Sequence, residues 1–317
     1  MIALSDIQQA HKKILPYIIK TPQIYSIPLS SNNKNIYLKL ESMQITGSFK
    51  LRGAINKLLN LNEEQKSKGV VAVSTGNHGK GVAYAAKKLG IKSKIFMSDL
   101  VPPHRRIAIE DLGAEVIITG KNSDEADHNA RDYASKNKIV LIHPFDDEQI
   151  IAGQGTIGLE MLESLPLLDT VIVPTSGGGL IGGIAIALKK QKPDIKVIAV
   201  SMKRGPSMYE SLKAGKPVDV IEEETLADCL GGSIGLENKY TFNIVKETVD
   251  DFVLLDEEKI AEGIKFNFES HKIITEGAAA TSAMVVKDHL SEFIGTNVVC
   301  LICGGNIDSK LFTKIIS

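Results

Sequence analysis

The sequence predicts an α/β fold built from parallel sheets with helices on both faces. Short β-branched runs recur between longer stretches of helical spacing, and those runs are apolar throughout instead of at alternate positions. A strand apolar on both sides is buried on both sides, as parallel sheets require, because their crossover helices cover each face. Glycine-rich stretches, moreover, follow several of these runs, where α/β proteins bind ligands.

Along the chain, the first strand is expected at residues 36–40, followed by a helix over 50–59. Residues 70–74 (VVAVS) form the second, leading into an amphipathic helix over 79–89. Strands at 94–97 and 115–118 come next. A helix at 124–136 follows them, with alanines at 126, 130 and 134. The run 139–142 precedes a helix over 149–162, and 170–174 precedes one over 181–189. Strands at 197–200 and 252–255, a helix at 257–270 and a final strand at 298–303 complete the pattern. The four strands between 70 and 142 are expected to form one sheet and the rest a second. No repeat, low-complexity tract or Pro/Gly-rich linker interrupts the chain.

Bulk properties narrow the function classes. With 317 residues, 43% of them hydrophobic, the chain can bury a substantial core and suits about two domains. A net charge of −1 gives no footprint for nucleic acid or an anionic membrane. The three cysteines, Cys229, Cys300 and Cys303, show no zinc-ligand spacing and suit a reducing compartment. The N-terminus lacks the apolar core of a signal peptide, and no run reaches the ~20 apolar residues that span a bilayer. A cytoplasmic location, with neither nucleic-acid nor membrane partner, is expected.

Four segments carry chemistry. In TGSFKLRGA (46–54), Lys50 opens a helix among Gly, Ser, Phe and Leu. A helix N-terminus disfavours a cation by ~0.3–1 kcal/mol, and burial favours the neutral amine. Both supply an unprotonated nucleophile; the competing reading is a solvated surface lysine. In STGNHG (74–79), helix-start N–H groups with hydroxyl and amide side chains suit a carboxylate, while simple N-capping by Thr75 or Asn77 is the alternative. In PTSGGGLIGG (174–183), consecutive glycines at a helix start suit a phosphate. Gly177, Gly179 and Gly182 also satisfy GxGxxG. The acid expected at the end of the following strand is absent there, but Lys203 and Arg204 leave an NADP reading open on this motif alone. In CGGN (303–306), a small polar side chain and glycines suit a flat ring against a strand end, or an ordinary turn with a buried thiol.

Together the four segments resemble the fold-type II pyridoxal-phosphate enzymes, a tryptophan synthase β-like fold, and within them the threonine/serine dehydratase and serine racemase group. HPFDD (143–147) and IAGQGTI (151–157) are similar to the dehydratases as well. The nicotinamide reading explains only one of the segments, and a non-catalytic binding protein gives no reason to keep Lys50, Asn77 and the glycine loop together. The resemblance implies a large cofactor-binding domain of residues 1–67 and 146–317 and a small substrate-binding domain of 68–145. It implies that Lys50 carries pyridoxal 5′-phosphate covalently beside Phe49 and later serves as the base. Asn77 would bond the ring's 3′-oxygen, and Gly177, Gly178, Gly179 and Leu180 would cradle the phosphate. Cys303 would face the pyridine nitrogen, Glu276 would line the cofactor site, and Ser74, Thr75, His78 and Ser233 the substrate site.

The activity implied is that of an ammonia-lyase, turning L-threonine or L-serine into a 2-keto acid and ammonia. Thr75 stands where serine racemases place the serine that carries the second proton; its extra methyl favours elimination over racemisation. The positions matching the racemases' metal site are Ser201, Gly205 and Ser207, without carboxylates, so no metal is expected there. The regulatory domain of the isoleucine-inhibited enzymes is not expected, and a homodimer is. Residues 226–242 are similar to dehydratases of hydroxyectoine utilisation, which leaves threonine itself open as the physiological substrate and makes a hydroxyectoine-derived amino acid an alternative.

Overall fold

A computed structural model describes residues 2–74, 76–101, 103–289 and 295–317. In chain order its elements are α1 (Leu4–Ile14), β1 (Gln23–Tyr25), β2 (Asn35–Leu40), α2 (Lys50–Leu59), α3 (Glu63–Lys68), β3 (Val70–Val73) and α4 (Asn77–Leu89). Then come β4 (Ser93–Met97), α5 (Pro103–Glu110), β5 (Glu115–Ile118), α6 (Ser123–Asn137), β6 (Val140–Leu141) and α7 (Glu148–Ser164). The chain continues through β7 (Thr170–Pro174), α8 (Gly179–Lys189), β8 (Lys196–Met202), α9 (Ser207–Ala214) and α10 (Thr241–Thr248). It ends with β9 (Asp251–Leu255), α11 (Glu257–His271), α12 (Gly277–His289), β10 (Asn297–Ile302) and α13 (Ser309–Ile316).

Strands β3 to β6 pair only with one another, in the order β5-β4-β3-β6, all parallel. The others form a six-stranded sheet, β1-β2-β10-β7-β8-β9. Five of its strands run parallel; β1, which the sequence did not announce, pairs antiparallel to β2 at the edge. Strand β7 is buried at every position, and α8 is buried from Gly179 to Leu188, as expected of elements covered on all sides. Helix α12 escaped the periodicity reading for the same reason: Ala278–Ala280 and Ala283–Val286 are all buried, so no polar face marks a period.

Register decides where loops meet. Ile302 lies opposite Leu40, and Cys300 opposite Ile172, so β2, β10 and β7 end at one edge of the sheet. The chain leaving each strand there, at residues 41–49, 303–306 and 175–178, therefore converges on one place.

Helix α7 packs against both α2 and α8 through glycines. A Cβ on Gly153 would fall 2.7 Å from the Arg52 carbonyl oxygen, and one on Gly183 2.3 Å from that of Ile151, so only hydrogen fits. Beneath α2 lies a buried ionic cluster. The Arg52 guanidinium forks onto Glu41 (Nε–Oε2 and Nη2–Oε1, both 2.8 Å) and onto Glu160 (Nη1–Oε1 2.6 Å, Nη2–Oε2 2.9 Å). Lys39 Nζ adds a bond of 2.6 Å to Glu160. Two cations meet two anions, and none of the four is more than 1% exposed.

Candidate active site

Lys50 is the first residue of α2. Its amine donates to the carbonyl oxygen of Pro144 at 2.8 Å and lies 5.3 Å from the centre of the Phe49 ring. Burial lowers its pKa to about 8. The neutral amine anticipated from its neighbours is thus accessible close to physiological pH.

The amine opens into a cavity of about 340 Å³. Phe49, Lys50, Ser74, Asn77, His78, Gly177, Gly178, Gly179, Leu180, Ser233, Glu276 and Cys303 all line it, drawn from loops at the carboxyl ends of both sheets. Thr75 lies outside the described residues.

The loop after β7 forms one wall. Gly178 takes the left-handed conformation (φ +84°) and caps α8, which leaves the first N–H groups of that helix without partners inside it. Such a terminus attracts an anion. A Cβ on Gly177 would fall 2.4 Å from the Phe145 ring, so the loop's shape demands glycine. The start of α4 forms a second wall. Ser74 Oγ accepts the Gly76 N–H at 3.2 Å. His78 turns its Nε2 to the Ile142 carbonyl oxygen at 2.9 Å, and burial, reinforced by Lys50, lowers its pKa to about 3. Its ring is neutral and already engaged; what it offers the cavity is its place at a helix N-terminus.

Glu276 closes the third side, 3% exposed. Its oxygens accept from Asn77 Nδ2 (2.8 and 3.0 Å) and from the N–H of Asn306 (3.2 Å). Burial, helped by the charge of Asp228, raises its pKa to about 7 against the pull of Asn77, Asn306 and Lys80. The Cys303 thiol, just beyond β10, is buried and pushed well up by burial and by Glu276, so it is a neutral group. Ser233 is exposed at the rim, where its Oγ accepts from Gly235 N.

Sequence reasoning did not single out several residues here. Asn306 donates to Asn77 Oδ1 (2.6 Å) and to the Thr46 carbonyl oxygen (2.9 Å), and accepts from Lys80 Nζ (2.9 Å). It thereby ties the Lys50 loop to α4 and to Glu276. Cys229 also lines the cavity, 3.5 Å from Asn77 Nδ2. Arg105 on α5 reaches Asp228 on the opposite wall at 3.1 Å. Asn306 sat within a noted motif; the others carry no local signal.

The family model of the pyridoxal-phosphate dependent enzymes matches residues 14–304. The chain belongs to this family. It is 43% identical over 318 residues to an L-threonine ammonia-lyase of Thermotoga maritima, a match covering 100% of this chain and 79% of the relative. It is 43% identical over 321 residues to the catabolic L-threonine dehydratase TdcB of Staphylococcus aureus, covering 100% and 92%. Among solved structures, maize serine racemase superposes with a TM-score of 0.93 at 32% identity, over 99% of this chain and 96% of that one.

The residues present fit the family's cofactor, pyridoxal phosphate. A glycine cradle that any Cβ would fill suits the phosphate, a half-buried amine of lowered pKa suits the aldehyde, and neutral Cys303 and protonatable Glu276 suit an aromatic nitrogen heterocycle. Where racemases are expected to hold a metal, the Ser207 hydroxyl donates to the Gly232 carbonyl oxygen at 2.8 Å.

Glu276 carries a pH prediction. Its proton is bound more tightly in the folded chain than in the unfolded one, so its contribution to stability is full at low pH and lost as pH rises towards about 7. Relative to Glu276→Gln, the cofactor-free protein should lose on the order of 1–3 kcal/mol between about pH 4.5 and pH 7, then level off. Urea denaturation of both chains across that range checks this; a difference independent of pH would reject it.

Proposed function

We propose that this protein is an ammonia-lyase that converts a β-hydroxy amino acid, such as L-threonine or L-serine, to a 2-keto acid and ammonia. The observation that carries the reading is the half-buried Lys50 amine, opening into the same cavity as the glycine loop and the α4 terminus. The names of the curated relatives support it. Pyridoxal phosphate supplies, when bound, an electron-withdrawing conjugated system that acidifies the α-proton of an amino acid.

The protein's own groups do the rest. The loop 177–180 holds the phosphate through backbone N–H groups. The α4 terminus, with Ser74, Thr75 and His78, receives the substrate carboxylate and excludes a substrate lacking one. Asn77 would orient the ring, Ser233 would border the substrate, and Lys50 would take the α-proton. With a pKa of about 8, Lys50 is a base near neutral pH yet strong enough to abstract a carbon acid's proton. Cys303, a neutral thiol, would face the cofactor's ring nitrogen without adding negative charge, which would weaken the cofactor's electron-withdrawing pull and favour loss of the β-hydroxyl.

Incubation with L-threonine and L-serine should release 2-oxobutanoate or pyruvate with one equivalent of ammonia. Accumulation of D-serine without keto acid would overturn the proposal. It would favour a serine racemase, the reading supported by the likeness to the maize structure. A hydroxyectoine-derived amino acid belongs in the same panel.

The working unit we propose is a cytoplasmic homodimer whose protomer divides into residues 68–145 and the remainder. Supporting the dimer, Tyr25, Ile27, Met43, Ile45 and Ile274 are exposed apolar side chains, Ile27 at 80%. Their segments adjoin: Ser26 bonds His271 at 2.7 Å, and a Cβ on Gly305 would fall 2.9 Å from the Ile274 carbonyl oxygen and 3.3 Å from the Ser42 Cβ. Such a patch suits an interface. The three free thiols support a reducing compartment, and among the described residues no helix is long and apolar enough to cross a membrane.

A further inference from the structure

The glycine loop has no side chain with which to hold its own shape; two walls hold it. On one side stands the turn 143–147 that joins β6 to α7. There a Cβ on Gly177 would meet the Phe145 ring at 2.4 Å, and one on Gly179 the Phe145 carbonyl oxygen at 2.7 Å. On the other side stands α10. A Cβ on Gly178 would meet Met208 of α9 at 2.8 Å and Thr241 and Val245 at 3.0 Å, and one on Gly182 would meet Ile244 at 2.9 Å.

One side chain ties these walls together. Asp146 Oδ1 accepts from the N–H groups of Tyr240 and Thr241, both at 2.9 Å, and Oδ2 accepts from Lys239 N at 2.7 Å. Tyr240, at the N-cap of α10, supplies no side-chain capping bond. At that terminus the Tyr240 and Thr241 N–H groups are satisfied by a carboxylate 94 and 95 residues away, with the charge a helix start prefers, while the Phe242 N–H donates locally to Asn238 Oδ1 at 2.8 Å. The turn is itself braced, because Asp146 N–H donates to His143 Nδ1 at 2.8 Å.

We propose that Asp146 is a positioning residue for the cofactor's phosphate: by clasping the turn to α10 it sets the width of the glycine loop between them. The proposal rests on the reading that this loop receives the phosphate. Asp146 itself does not line the cavity among the described residues, so its influence passes through Phe145 and α10.

The test measures binding to the full-length, cofactor-free chain by fluorescence titration, with pyridoxal phosphate and with pyridoxal, which lacks the phosphate. Asp146→Ala should weaken pyridoxal phosphate about tenfold, the scale of one charge-assisted capping interaction, and leave pyridoxal unchanged. Gly177→Ala, whose methyl group meets the Phe145 ring, reports on the loop itself and should show the same selective loss. If Gly177→Ala loses phosphate selectivity while Asp146→Ala keeps it, the clasp is refuted and the loop reading stands. If neither variant changes, the loop reading falls and the clasp with it. Equal loss of both ligands in Asp146→Ala would reduce the residue to general structure and also refute the clasp. Should Asp146→Ala fail to fold, Asp146→Asn keeps an acceptor for Tyr240 and Thr241, loses that for Lys239, and should give a smaller loss of the same selectivity.

Discussion

Replacing Lys50 by alanine should lower keto-acid release by at least ~10³-fold, because in the proposed mechanism one side chain supplies both the cofactor's covalent anchor and the base. The substitution removes a single hydrogen bond, to the Pro144 carbonyl oxygen, and relieves the amine of its burial. Global stability should consequently change by no more than about 1 kcal/mol. Borohydride reduction followed by peptide mass analysis should tag residue 50 in the wild-type chain and find no tag in the variant. Release of keto acid by the variant at the wild-type rate would end the proposed role of this lysine. External amines of small volume should restore part of the rate if the defect is the missing base alone.

Replacing Arg52 by alanine should be the most destabilising change near the site, costing about 3–5 kcal/mol. Burial disfavours charge at Arg52, Lys39 and Glu160, but the carboxylates of Glu41 and Glu160 hold Arg52 firmly in its cationic form. Without the guanidinium, two carboxylates would face each other in the interior with only Lys39 and neutral donors between them. Arg52→Lys should recover less than half of the loss, since a point charge cannot satisfy two carboxylates in a forked geometry. Urea midpoints of the three chains measure this. Arg52→Ala within about 1 kcal/mol of wild type would show the cluster to be energetically idle. Because Arg52 follows Lys50 by two residues on α2, any shift of that helix should also appear as weaker cofactor binding.

The contrast between these two residues shows what a sequence exposes. Lys50, the 74–79 segment and the triple glycine were legible because their chemistry is local: a helix start, its free N–H groups, and residues small enough to admit a ligand. Nine strands were readable as apolar runs, and the tenth, β1, was not: it is three residues long and nowhere fully buried. Helix α1 was missed because only Ile7, Ala10 and Ile14 mark its buried face. Arg52 read as part of a motif, but its partner Glu160 lies 108 residues on, and nothing near either residue announces the pairing. Asn77 meets Glu276 across 199 residues and Asn306 across 229. Asp146 and Arg105 likewise act on distant backbone or side chains, so only tertiary structure reveals them.

The backbone-to-backbone seams of α7 with α2 and α8 have a mechanical consequence. Ordinary helix pairs are cushioned by interdigitating side chains, whose torsions give a little as the helices roll. At Gly153 and Gly183 no such padding exists, and the amide planes of one rod abut those of the next. The rod that begins with the Lys50 amine and the rod that begins at the glycine loop are thus mortised to a common beam. The span between those two ends is set by the stiffness of peptide geometry, so a molecule bridging them is held to a fixed length while the other walls of the cleft remain free to move.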